Sequence, residues 1–193
     1  MNISEFIDAQ LAAWPMAKGN FEALKGVETK EFDLDGMHFK VQSNPARIVS
    51  SGAKVDAASL AARPCFLCGK NRPAQQMGLD WGEHYTVLIN PFPIFPRHLT
   101  IPDNGHTIQK IEGRIADMIR LASELDGYTV FYNGPRCGAS APDHMHFQAG
   151  NTDFLTLPAA LEDAEQKVIA TEGASTLALV DSLPLKLFVI DAA

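Results

Sequence analysis

The sequence predicts an α+β fold with a mainly antiparallel sheet, from the order of its strand and helix patterns. Alternating or apolar runs bounded by turn residues predict strands at 29–34, 37–42, 84–90, 97–101, 128–133, 144–149 and 185–190. The dipeptide Asp35-Gly36 between the first two runs is a strong signal for a two-residue hairpin turn. From Thr107 to Leu125, apolar residues recur at helical spacing, which predicts a long helix packed on the sheet.

Three further helical segments are predicted outside this block. Residues 3–13 have helical spacing and are followed by a break near Pro15, and residues 158–170 have similar spacing after a loop. Residues 44–64 predict a loop with a short helix. These patterns divide the chain into an N-terminal helical arm, 1–28, and one domain, 29–193.

Composition and charge exclude several classes of function. With 193 residues, 46% hydrophobic and 20% charged, the chain matches an ordinary globular protein with a real core. A formal net charge of −7 argues against binding to a nucleic-acid polymer, although a local basic pocket for a phosphate ligand is compatible with it. The sequence has no apolar run of membrane-spanning length and no basic start typical of a signal peptide, so we expect a cytoplasmic protein without a membrane partner.

Two cysteines in Cys-x-x-Cys spacing, Cys65 and Cys68, indicate a metal or redox site in a cytoplasmic protein. A redox pair usually opens a helix after a strand, whereas this segment is flanked by proline and glycine. A tetrahedral site needs two more ligands, and His98 and His144 are available for it. The sequence therefore predicts a structural Cys2His2 zinc site, with a redox pair or two buried thiols as the alternatives.

A row of polar side chains is predicted on one face of the strand at 144–149. Residues at i, i+2 and i+4 of a strand point the same way, which places His144, His146 and Gln148 together. A histidine whose tautomer is held by a backbone carbonyl can attack a phosphorus atom, and His146 is the candidate. Gln148 would donate to a phosphate oxygen, and the glycine-rich stretch that includes Ser140 would wrap further donors around the phosphate. The alternative is that the two histidines only occupy the solvent face of a sheet.

The stretch GASAPDHMHFQ resembles the His-x-His-x-Gln version of the histidine-triad motif. This version occurs in the branch that includes the galactose-1-phosphate uridylyltransferases and the dinucleoside tetraphosphate phosphorylases. Elsewhere, CFLC resembles the zinc knuckle of the uridylyltransferases. The stretch FPIFPRHLTIP resembles a histidine-triad segment whose histidine precedes a strand, and FYNG resembles the end of one of their strands. The resemblance spans about residues 40–150 and implies a histidine-triad-like (HIT-like) domain.

The resemblance also implies a role for each matching residue. His146 corresponds to the nucleophile that takes a nucleoside monophosphate, and Gln148 to the amide that steadies the intermediate. Ser140 and Asn133 correspond to groups that contact the transferred phosphate. The structural zinc ligands of the uridylyltransferases correspond to Cys65, Cys68, His98 and His144.

A further segment, QSNPARIVSSGAK, resembles the Asn-Pro-x-Arg segment that lies near the nucleotide in the same family. The resemblance makes Asn44, Arg47 and Lys54 candidates for contact with the base or a phosphate. The alternative for these three residues is a solvated loop.

Two departures from the family pattern bear on the reaction. Met145 stands where the uridylyltransferases usually have a proline between the two histidines, which weakens the case for a hexose-1-phosphate uridylyl exchange. The sequence also has no room for the second half-domain of longer members. Either the chain is truncated, or a homodimer completes the site.

The resemblance therefore implies a nucleotidyltransferase or phosphorylase that acts on a nucleoside di- or polyphosphate or a nucleotide sugar. The reaction would pass through a covalent nucleotidyl-histidine, and inorganic phosphate or a sugar phosphate would accept the nucleotidyl group. Two alternatives stay open. One is a hydrolase in which water resolves the same adduct, and the other is a zinc-stabilised nucleotide-binding module without turnover.

Overall fold

A computed structural model of the protein describes residues 2–48, 52 and 54–192. The chain forms two compact units, one of Met1–Val27 with Asn44–Phe154 and the other of Glu28–Ser43 with Leu155–Ala193. This division differs from the predicted arm 1–28 and domain 29–193. The reason is that the N-terminal helices pack into the core of the first unit, where Phe6 and Trp14 are buried.

The described helices and strands are numbered in chain order. The helices are α1 (Ile3–Ala13), α2 (Pro15–Ala23), α3 (Ala57–Ala62), α4 (Ile115–Glu124) and α5 (Leu157–Asp163). The strands are β1 (Glu28–Leu34), β2 (Met37–Ser43), β3 (Leu79–Trp81), β4 (Tyr85–Ile89), β5 (Leu99–Pro102), β6 (Tyr128–Phe131), β7 (His146–Asn151), β8 (Lys167–Glu172), β9 (Ser175–Val180) and β10 (Leu187–Asp191). Within the described part of the chain, no helix has the length and apolar character needed to cross a membrane.

The first unit is built on a five-stranded sheet in the order β3-β4-β5-β7-β6, in which every pairing is antiparallel. Strand β7 lies between β5 and β6, so His146 and Gln148 of the predicted polar row are in the interior of the sheet. His144 lies before β7, because the strand predicted over 144–149 begins only at His146. Met145 and Phe147, whose side chains face the opposite way, are fully buried in a core shared with α1, β4 and α4. Helix α4 packs against β6. The predicted α+β class with a mainly antiparallel sheet is confirmed.

The helix predicted from Thr107 begins only at Ile115. The residues before Ile115 form hydrogen bonds with the main chain at the start of β7 instead. Met145 donates its N–H to the carbonyl of Thr107 at 2.7 Å, and His146 donates its N–H to the side chain of Gln109. Gly113, with φ of 76°, then turns the chain into α4. Tertiary contacts therefore override the helical spacing before Ile115.

The second unit contains the hairpin β1-β2 and a three-stranded antiparallel sheet in the order β10-β9-β8. Asp35 and Gly36 have φ of 50° and 78°, the left-handed values of a two-residue hairpin turn, which confirms the predicted hairpin. The helix predicted over 158–170 was placed too far along the chain, since α5 ends at Asp163 and β8 follows. The β-branched residues Val168 and Ile169 favour that strand.

Candidate active site and metal-binding group

His146 opens β7 with a side chain that is only 5% exposed. Its Nδ1 lies 2.8 Å from the carbonyl oxygen of His144, and because a carbonyl oxygen can only accept, Nδ1 carries the proton of the neutral ring. Burial lowers the pKa of His146, which favours the neutral ring. The other ring nitrogen, Nε2, therefore has a lone pair, which is the state that a nucleophilic histidine requires.

The carboxamide of Gln148 is oriented by His98, which directly precedes β5. Nδ1 of His98 lies 3.2 Å from the backbone nitrogen of Ile94 and accepts its N–H. The neutral His98 ring therefore carries its proton on Nε2, which donates to Oε1 of Gln148 at 2.9 Å. With Oε1 turned towards His98, the NH2 group of Gln148 points to the other side and can donate to an acceptor there.

The surroundings of His98 hold its ring neutral. The residue is 1% exposed, and the ring of Phe95 packs against it, tilted by 43° with 4.4 Å between centroids. Burial, together with the nearby charge of Arg47, lowers the pKa of His98 to about 3. Gly150 on β7 allows this packing, since the Phe95 ring occupies the space that a Cβ at Gly150 would take.

Lowering the pH is expected to decrease the free energy of unfolding because the unfolded chain binds a proton at His98. The decrease should be smaller in the His98→Gln variant. The pKa of about 3 in the folded protein lies below the ordinary histidine value, so the unfolded chain takes up the proton first. The stabilisation by the neutral ring is complete above about pH 6.5 and is lost by about 1.4 kcal/mol per pH unit as the pH falls towards about 3. Urea unfolding near pH 7 and near pH 5 measures this slope. Equal pH slopes in the two proteins would contradict the expectation.

Four side chains, Cys65, Cys68, His106 and His144, each bring one ligand atom into a group whose members all lie within 4.8 Å of one another. His144 Nδ1 lies 3.2 Å from Cys65 Sγ and 3.6 Å from Cys68 Sγ, and His106 Nδ1 lies 3.3 Å from Cys68 Sγ. In a tetrahedral zinc site, neighbouring sulfur and nitrogen ligands are about 3.5 Å apart. These two thiols and two imidazoles can therefore hold a metal ion with little rearrangement.

His106 takes the place that was predicted for His98 in this group, which corrects the predicted ligand set. Both ring nitrogens of His98 already have partners, the N–H of Ile94 and Oε1 of Gln148. His106 follows a bend after β5, whereas the sequence predicts a helix beginning directly after it. Because the helical spacing continues back to Thr107, the sequence places His106 at a helix start and not in a metal site. The preceding Asn104-Gly105 is a turn signal, which indicates that His106 lies in a loop.

The two histidines of the group present Nδ1 to the cysteines and turn Nε2 towards oxygen atoms. Nε2 of His144 lies 2.8 Å from the carbonyl oxygen of Asp103, and Nε2 of His106 lies 3.7 Å from the Asp143 carboxylate. Burial raises the pKa of the Cys65 thiol. A metal ion bound there would displace thiol protons, so its affinity would rise with pH.

A family model described as a domain of unknown function (DUF4922) matches residues 6–151, which contain both the metal-binding group and the β7 row. The chain belongs to the DUF4922 family. No curated protein matches it. This description names no activity, so the function of the site is inferred from the residues that form it.

This DUF4922 chain is similar to three crystal structures of yeast Ap4A phosphorylase Apa2. The structure in complex with AMP is 20% identical, with a TM-score of 0.47, and the match covers 88% of this chain and 63% of that chain. The structure in complex with Ap4A is 19% identical, with a TM-score of 0.46 and coverage of 88% and 66%. A third structure of the same enzyme is 19% identical, with a TM-score of 0.42 and coverage of 86% and 60%. The DUF4922 chain thus spans less than two thirds of the phosphorylase chain.

In the DUF4922 chain, Asn133 and Ser140 lie at the two ends of the glycine-rich loop before β7. The carbonyl oxygen of Asn133 accepts a bond from the Gln109 side chain at 2.9 Å, and that of Ser140 accepts one from Arg63 at 2.7 Å. Gly138 within the loop has φ of 86°, a left-handed value that favours glycine. Main-chain bonds therefore hold both ends of this loop.

The structure brings Arg47 close enough to His98, the partner of Gln148, for its charge to act on that ring. Its Nε donates to the carbonyl of Phe92 at 3.0 Å, and its charge contributes to the lowered pKa of His98. Asn44 opens the turn that carries Arg47, whose N–H donates to the Asn44 carbonyl at 3.1 Å. Lys54 is exposed and follows residues 49–51 and 53, which lie outside the described part of the chain. Its role stays a prediction.

Proposed function

We propose that this DUF4922 protein is a nucleotidyltransferase or phosphorylase that acts on a nucleoside di- or polyphosphate or a nucleotide sugar. One observation carries the proposal: the His144 carbonyl holds the proton on Nδ1 of His146, which leaves a lone pair on Nε2, and Gln148 follows two residues along the same strand. The resemblance of the β7 segment to the His-x-His-x-Gln motif supports the same reaction.

The reaction consists of two displacements at one phosphorus atom. In the first, Nε2 of His146 donates its lone pair to the phosphorus of the nucleoside monophosphate group, a P–N bond forms, and the P–O bond to the leaving group breaks. The ring becomes positively charged, and the Nδ1–H bond to the His144 carbonyl stabilises that charge. In the second, an oxygen of inorganic phosphate or a sugar phosphate attacks the phosphorus, the P–N bond breaks, and neutral His146 returns.

Polar groups around His146 are proposed to bind the phosphate in both steps. Gln148 donates an N–H of its amide to a non-bridging oxygen, where negative charge increases in the transition state. Ser140 and Asn133 contact the same phosphate from the glycine-rich loop. Asn44, Arg47 and Lys54 are proposed to contact the base or the remaining phosphates.

The metal ion proposed for the Cys2His2 group is zinc, in a structural role. Cys65, Cys68, His106 and His144 would hold it, since two thiolates and two imidazoles are a ligand set that zinc prefers. When bound, zinc cross-links the segments that carry its four ligands. His144 is shared between the two parts of the site, because its ring belongs to the metal-binding group and its carbonyl accepts the Nδ1–H of His146.

Intact-protein mass spectrometry tests this proposal. The protein is incubated with nucleoside di- and triphosphates, dinucleoside polyphosphates and nucleotide sugars, each without an acceptor, beside a sample without donor. The expected result is a mass gain of one nucleoside monophosphate with at least one donor, which also identifies the base. No gain with any donor, in a protein that binds nucleotide and metal, would reject the enzyme and favour a binding module.

The acceptor separates the transferase from the hydrolase. An adduct that persists in buffer and disappears when phosphate or a sugar phosphate is added supports transfer or phosphorolysis. An adduct that disappears in buffer alone, with release of the nucleoside monophosphate, supports hydrolysis. A homodimer and a cytoplasmic location remain predictions from the sequence.

A further inference from the structure

Gln109 lies where strands β6 and β7 separate. Phe131 on β6 pairs with Gln148 on β7, and the same antiparallel register continued by two residues would oppose Asn133 to His146. However, β6 ends at Phe131 and does not supply this pairing. The side chain of Gln109 lies between the two main chains instead.

The carboxamide of Gln109 makes the two main-chain bonds that a neighbouring strand would otherwise make with His146. Its Oε1 accepts the N–H of His146 at 2.7 Å, and its Nε2 donates to the carbonyl oxygen of His146 at 3.1 Å. The second N–H of the amide donates to the carbonyl of Asn133 at 2.9 Å. The side chain is 2% exposed, so these bonds form away from solvent.

We propose that Gln109 is a positioning residue for the nucleophile, an inference that rests on the proposed function of His146. On the other side of β7 the residue opposite His146 is Pro102, and this pair exchanges no hydrogen bonds because the N–H and the carbonyl of His146 both point towards Gln109. The main chain at His146 is therefore fixed by a side chain rather than by regular strand pairing. Gln109 also bonds to the carbonyl of Asn133, so it fixes the position of the nucleophile relative to a proposed phosphate contact.

Gln10 offers a matched control elsewhere in the first unit. It is also fully buried, its Oε1 accepts the N–H of Met77 at 2.5 Å, and its Nε2 donates to the carbonyl of Gln75 at 2.7 Å. Methionine has a similar shape to glutamine but cannot make these bonds. Both variants therefore lose buried hydrogen bonds, three in Gln109→Met and two in Gln10→Met, but only the first disturbs His146.

Gln109→Met is expected to slow adduct formation by about 10- to 100-fold at saturating donor, since a misplacement of about 1 Å has effects of that size. Nucleotide affinity should stay within about threefold of wild type, because the change affects the reacting geometry rather than binding. Gln10→Met should keep the wild-type rate per folded molecule. Equal rates in the two variants would overturn the proposal. If Gln109→Met does not fold, Gln109→Glu replaces it, since a buried, protonated carboxyl can make at most one of the two bonds that the amide donates.

Nitrogen NMR of the His146 ring gives a readout that does not depend on catalysis. The wild-type ring should be protonated on Nδ1, Gln109→Met should shift or broaden its signals, and Gln10→Met should leave them unchanged. If wild-type protein forms no adduct with any donor, the proposed function fails and the spectra alone decide the role of Gln109. Unchanged His146 signals in Gln109→Met would then overturn it.

Discussion

The His146→Ala variant is expected to lose nucleotidyl transfer by about 10⁴-fold or more, because removal of a covalent nucleophile leaves only the effects of binding and charge stabilisation. The methyl group has no lone pair to form the P–N bond, and nothing in the two-displacement scheme replaces it. Affinity for the nucleotide should change by less than about tenfold, since Gln148, Ser140 and Asn133 stay in place. Turnover and nucleotide binding are measured on the same preparation, by product formation and by calorimetry.

His84 provides the control for this substitution. It belongs to the same unit, but its side chain is 63% exposed, so His84→Ala changes the histidine content without touching the β7 row. Wild-type turnover in His84→Ala with loss in His146→Ala assigns the chemistry to His146. Substantial turnover in His146→Ala would instead show that water or another residue attacks the phosphorus directly, and the covalent scheme would have to be abandoned.

The polar row on β7 could be predicted because it depends only on the period of a strand. His146 and Gln148 point the same way whatever packs around them, and Met145 and Phe147 confirm the alternation because their side chains belong to the apolar core. The Asp35-Gly36 hairpin could be predicted for a similar reason, since its turn residues set the backbone locally. In each case the signal and the structure lie within a few residues of one another.

The parts that could not be predicted depend on contacts between distant segments. Gln109 has apolar neighbours at helical spacing, which predicts a helix. It bonds to the main chain of His146 instead, because β6 ends at Phe131 and leaves that main chain without a neighbouring strand. The choice between His98 and His106 as a metal ligand likewise depends on which ring nitrogens already have partners. Sequence spacing limits the number of candidate ligands, but it does not decide between two histidines that both follow a strand or a crossing.

Loss of the Cys2His2 group is expected to remove bound metal and to destabilise the first unit. Cys65→Ala and His106→Ala should each lower the zinc content from about one ion per chain to a small fraction, because a structural zinc site needs all four ligands. Where free zinc exceeds its dissociation constant 1,000-fold, binding to the folded state alone is worth about 4 kcal/mol of stability, which these variants would lose. Metal analysis after dialysis and thermal unfolding with and without chelator measure the two effects.

His98→Gln separates the two possible ligand sets. It should keep its metal, because the His98 ring bonds Ile94 and Gln148 rather than the cysteines. Metal loss in His98→Gln, with retention in His106→Ala, would show that the group had been assembled from the wrong histidine. Since the His144 ring belongs to the group and its carbonyl holds Nδ1 of His146, Cys65→Ala should also alter the His146 ring signals in NMR spectra. That change would connect the metal-binding group to the nucleophile without reference to turnover.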